Sequence, residues 1–185
     1  MGLFDKAAKA AVNTARVVAS SQTEKFTFTA LPESLAELQA RPEAALSTPF
    51  QTAALTVCAL CAYSADPKIG TEMLNWLRGP RPLNGQDISF LNDRFRGGKQ
   101  YLPFSYFAGA APENNYTPAK PYTLQIKSDH TSYTEAGYCK LFISCGGADS
   151  PRPIKLRQKG NGQWFLWEQY LLTAIRTPKA DDPWA

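Results

Sequence analysis

Histidine is nearly missing from this 185-residue chain: His130 is the only one, and methionine occurs twice. A single imidazole excludes the multi-histidine centres that hold catalytic zinc. Charged residues are also sparse, at 19%, with a formal net charge of only +4, so no polyelectrolyte tail is present. No apolar run approaches the ~18 residues of a spanning helix. The first 23 residues lack the continuous apolar stretch and cleavage pattern of a secretory signal. What remains is an ordinary apolar share of 44%, enough to build a core and to exclude disorder as the dominant state. The expectation is a soluble, cytoplasmic protein with one α+β domain over residues 24–178, an N-terminal helix over 1–23 and a short tail over 179–185.

Cysteine is scarce enough to read residue by residue. Cys58 and Cys61 form C-x-x-C inside an apolar helical pattern, not at a helix N-terminus, which is a poor setting for a redox motif. Cys139 and Cys145 fall in one predicted strand, so their Cα atoms stand about 20 Å apart and cannot be bridged. All four read as small buried hydrophobes, which suits a reducing compartment.

The opening segment is an amphipathic helix by its spacing. Leu3, Phe4, Ala7, Ala8, Ala11 and Val18 share one side, while Lys6, Lys9 and Arg16 share the other. Such a face docks on its own domain, on a second copy or on a membrane surface; the small alanines favour docking on protein. The partners expected are therefore a protein or a second copy, with peripheral membrane contact as the alternative.

The middle of the chain carries helix start signals. Thr48-Pro49 and Asp66-Pro67 pair a capping residue with a first-turn proline, Asn84 is a third cap, and Pro32 opens a short helix ending before Pro42. The run from Phe50 to Tyr63 is apolar nearly all round and predicts a buried central helix. Before it, Lys25 to Thr29 alternates as a short strand. Arg78, Arg81, Arg94, Arg96 and Lys99 gather near the helix ends and, with the aromatics of RFRGGKQYLPFSYF, form a candidate anion or nucleic-acid patch. Cations complementing helix C-termini, followed by an aromatic loop packed on the core, is the reading favoured for them, and nucleic acid is not the expected partner.

The last third predicts a sheet. Tyr122 to Lys127, Tyr138 to Cys145 and Ile154 to Lys159 alternate, and Gly160-Asn161-Gly162 turns the chain into Trp164 to Tyr170. That final strand is apolar on both sides, with Trp164, Leu166, Glu168 and Tyr170 on one of them, which predicts burial between two layers. The plan is α+β: N-terminal helices packed on a curved C-terminal antiparallel sheet, of the cone-shaped kind. The hairpin PRPIKLRQKGNGQWFLWEQYLL resembles the closing hairpin of nuclear-transport-factor-2-like and cystatin-like folds, which implies helices folded over a concave sheet. MGLFDK, PENNYTP, GGADSPRP and WFLWE together resemble an uncharacterised family of bacterial proteins of unknown function. That resemblance implies no activity for any residue.

Candidate site residues follow from chemistry. Glu168, with Trp164, Tyr170, Tyr138 and Tyr122, would line a pocket if the last strand turned it toward the core, although a solvent-facing glutamate is the simpler reading. His130 sits in a polar turn beside Asp129 with no nucleophile near it in sequence. No catalytic residue, metal ligand or cofactor is expected. The expected function is a non-enzymatic binding or interaction module of a bacterial cytoplasm. The alternative is a small-molecule binder or enzyme with a pocket between helices and sheet, and the third reading is weak anion or nucleic-acid binding through the basic patch.

Overall fold

The computed structural model describes residues 21–184. The amphipathic helix read over residues 1–23 lies almost wholly outside them. Five strands form one antiparallel sheet in sequential order: β1 (Thr23–Phe28), β2 (Tyr122–Lys127), β3 (Tyr138–Ile143), β4 (Arg152–Gln158) and β5 (Trp164–Gln169). The sheet is not confined to the C-terminal third, because β1 pairs with β2 along its whole length, from Thr23 opposite Lys127 to Phe28 opposite Tyr122. β1 and β5 are its two edges, so it is open and not a barrel. Four α-helices among the described residues fill the connection from β1 to β2: α1 (Leu35–Gln39), α2 (Pro49–Ala65), α3 (Pro67–Arg78) and α4 (Gly85–Phe95). The α+β plan holds.

The caps read from the sequence are made. Thr48 accepts from the Gln51 N–H while the Gln51 side chain accepts from the Thr48 N–H, closing a capping box on α2. Asp66 accepts from the Lys68 and Ile69 N–H groups at the start of α3, and Asn84 caps α4. The first helix differs from expectation. It begins at Leu35 under a Ser34 cap, not at Pro32.

α2 is the centre of the molecule. Its residues from Phe50 to Cys61, Gln51 apart, are buried, and it packs on the inward face of the sheet, where Leu124, Ile126, Cys139, Leu141, Ile143, Ile154 and Leu156 are fully covered. Thr52 ties helix to sheet by donating to the Trp164 carbonyl at 2.7 Å. α3 lies against α2 at very short range, since a Cβ on Gly70 would stand 2.2 Å from the Tyr63 Cα. β2 and β3 pair only at Ile126–Ile143 and Lys127–Phe142. Beyond that the sheet splays and the segment after the 3-10 stretch Lys99–Tyr106 fills the gap, with the Ala108 N–H donating to the Thr123 carbonyl. β3 ends at Ile143, so Cys145 is not a buried strand residue; it is half-buried beside Ser105.

Candidate functional site

The tryptophan-rich strand β5 carries an irregularity that alternation alone does not reveal. Leu156 lies opposite Leu166, yet Lys155 lies opposite Glu168, so Trp167 is one extra residue in β5. A bulge of this kind reverses the side taken by everything after it. Leu166 points into the core, whereas Glu168 emerges on the outward face next to Lys155 and is exposed. Glu168 therefore does not share a side with Trp164 and Leu166. Nor does β5 lie between two layers: it is an edge strand, and its second apolar side is met by the turn that follows α3.

That turn builds the site. α3 ends at Gly79, whose φ of +58° suits glycine, and a Cβ there would sit 2.6 Å from the Phe165 ring. The chain then runs through Pro80 and Arg81 over the free edge of β5. Arg81 places its guanidinium 4.3 Å from the centre of the Trp167 ring, and Arg157 of β4 approaches the same ring at 4.8 Å. Tyr138 meets Trp167 edge-on at 5.5 Å and takes Arg157 at 5.3 Å and Lys155 at 4.5 Å over its own ring. The result is a ladder of alternating cations and rings.

Between this turn and the β4–β5 hairpin lies a cleft of about 450 Å³. Phe165, Leu166, Trp167 and Pro80 give it apolar walls; Arg78, Arg81, Arg157 and Lys159 supply four cations, and no carboxylate lines it. Arg78 is only 8% exposed. Its Nε donates to the Arg81 carbonyl at 2.9 Å, and its Nη2 reaches the Asp87 carboxylate at 3.4 Å. Burial pushes its pKa below the usual arginine value, and the Asp87 charge works against that loss. Asp87 is held in turn as the N3 member of the α4 capping box.

A second, smaller cleft of about 230 Å³ adjoins the first across Arg78, Arg81 and Trp167. Glu168 and Tyr170 line it together, the phenol donating to the carboxylate at 3.0 Å, which holds the tyrosine proton above its ordinary pKa. The other pocket candidates are dispersed. Trp164 is buried in the core, Tyr138 lies on the outward face, and Tyr122 packs edge-on against Phe107, bordering a groove near the end of α2. Of the candidate anion patch, Arg78 and Arg81 reach the large cleft. Arg94 pairs with Asp93 at 2.6 Å and covers Phe90, while Arg96 and Lys99 are exposed beyond α4.

The sequence reading missed Arg157, Lys159, Phe165 and Trp167 as site residues. Outward alternation of Lys155, Arg157 and Lys159 was the available signal for the cations. His130 is exposed, and the Asp129 carboxylate beside it accepts from the Thr131 N–H and hydroxyl. Among the described residues no three histidine, cysteine, aspartate or glutamate side chains converge as a metal-ligand set, and no helix is long and apolar enough to cross a membrane.

No curated protein and no solved structure matches the chain. Residues 30–179 match a family model described as a domain of unknown function, DUF6935. The matched span takes in all four α-helices, β2 to β5 and the whole of the cationic cleft, and leaves out β1. The chain belongs to this family of unknown function.

Proposed function

We propose that the chain is a non-enzymatic binding module that takes a small anion carrying a planar apolar group in the cleft between the turn after α3 and the β4–β5 hairpin. The observation that carries this reading is the lining: four cations, no carboxylate and the rings of Phe165 and Trp167. Guanidinium groups stack on aromatic faces and bind oxyanions through a planar fork. Arg78 is already ordered by the Arg81 carbonyl and Asp87, so part of the entropy cost of holding a ligand is met before it arrives. A binding role, as opposed to a catalytic one, is supported by what surrounds the other reactive groups. His130 stands in solvent without an orienting carboxylate. The Cys145 thiol donates to the Ser105 hydroxyl, which donates to the Leu102 carbonyl, a chain that ends without a base. A reducing, cytoplasmic setting fits the free thiols of Cys58 and Cys61.

Isothermal titration of the full chain with 2-naphthalenesulfonate and with neutral 2-naphthalenemethanol tests the reading. Saturable binding of the sulfonate, weakened in Lys159→Gln, is expected. Equal binding of both compounds, or of neither, would overturn it.

A further inference from the structure

The helices cover one face of the sheet. On the other, Lys25 of β1, Lys127 of β2, Lys140 of β3 and Lys155 and Arg157 of β4 point outward, and none of the five is buried. Lys140 stands directly opposite Lys155, a like-charge pair that costs stability in a bare sheet. Between these cations lie the half-buried rings of Tyr138 and Phe142, each with an ammonium over it: Lys155 at 4.5 Å and Lys140 at 5.3 Å. The carboxylates near this face are few. Glu135 binds Lys155 at 2.7 Å, Glu168 lies across from Lys155, and Asp129 is engaged by Thr131. Among the described residues, Lys155 alone of the five cations has an ion pair.

We propose that this open face binds single-stranded nucleic acid, with phosphates against the cations of β1 to β4 and bases against Phe142 and Tyr138. Cations recurring along flat strands, with rings interleaved, follow a charged backbone and its unpaired bases together. Phosphates would also relieve the Lys140–Lys155 repulsion. An anionic lipid surface suits the face less well, because both rings are half-buried and, among the described residues, β1 to β4 expose no large apolar side chain to insert. Lys25, Lys127, Lys140 and Phe142 line no part of the cationic cleft, and Arg157 alone of the five cations belongs to both, so this surface adjoins the site proposed above and extends well beyond it.

Fluorescence anisotropy of the full chain with a labelled 15-nucleotide thymidine oligomer tests it. With about four phosphates neutralised, affinity should fall roughly 50-fold between 50 and 200 mM salt. Lys127→Gln combined with Lys140→Gln should flatten the logarithmic salt slope by about 1.4 while the melting temperature does not fall. Phe142→Leu should weaken binding about fivefold or more, and Lys68→Gln, an exposed cation at the start of α3 on the helical side, should not change it. Absent or salt-independent binding, a parent-like slope in the double variant, or chain captured by phosphatidylserine vesicles and not released by the oligomer would overturn the proposal.

Discussion

Arg81 holds its guanidinium 4.3 Å from the centre of the Trp167 ring, and that ring is the extra residue of a bulge in β5. The contact closes the wall of the cleft, so its two halves should separate on mutation. Arg81→Gln should cost only about 0.5–1 kcal/mol of stability, the usual worth of an exposed cation–π pair. Trp167→Leu keeps an apolar side chain but removes the stacking face. Chemical denaturation should find it folded, while calorimetry with 2-naphthalenesulfonate finds binding lost.

Gly70 meets Tyr63 backbone to backbone, with room for no Cβ. A Gly70→Ala change sets the new carbon 2.2 Å from a main-chain atom that no rotamer can move. The α2–α3 pair must part, at a cost of roughly 1–3 kcal/mol or more. For a chain of this size, at roughly 2–4 °C per kcal/mol, that lowers Tm by about 2–12 °C in thermal melting.

Thr52 and Thr56 are both fully buried on α2 and differ in what they bond. Thr52 donates across to the Trp164 carbonyl, whereas Thr56 donates back to the Thr52 carbonyl within its own helix. Thr52→Val should cost about 1–3 kcal/mol, because a buried sheet carbonyl loses its side-chain donor. Thr56→Val should be close to neutral, since back-bonding of this kind adds little to a helix. Urea unfolding of the two variants side by side makes the comparison.

Burial pushes the Cys58 thiol up to about 12, and the Cys139 thiol likewise to about 12. The unfolded thiols release their protons from near pH 9, while the folded ones keep theirs until about 12. The unfolded state then binds fewer protons, so stability must fall as pH rises through that window. Each thiol contributes about 1.4 kcal/mol per pH unit to the slope. Cys58→Ala should make the decline of stability between pH 9 and 11 shallower by about that amount, as measured by urea unfolding.

Much of this architecture was legible because it is written locally. Thr48-Pro49, Asp66-Pro67 and Asn84 each announce a helix through a donor–acceptor arrangement completed within three residues, and the Gly160–Gly162 turn announces the last hairpin. The cleft was not legible, because a non-local feature sets it. One inserted residue at Trp167 moves Glu168 to the outward face, and no period-2 pattern contains that information. Equally, nothing near Arg81 in the chain says that its ring partner lies 86 positions later. The pairing of β1 with β2 across the whole helical region is non-local in the same way.

The most direct measurement of the central reading is the indole N–H resonance of Trp167 during titration with 2-naphthalenesulfonate. Of the four tryptophans only Trp167 lines the cleft; Trp76 lies on α3, Trp164 is in the core and Trp184 is exposed near the C-terminus. The Trp167 signal, assigned through Trp167→Leu, should shift saturably and alone. A stationary Trp167 signal, or equal movement of all four, would contradict the account.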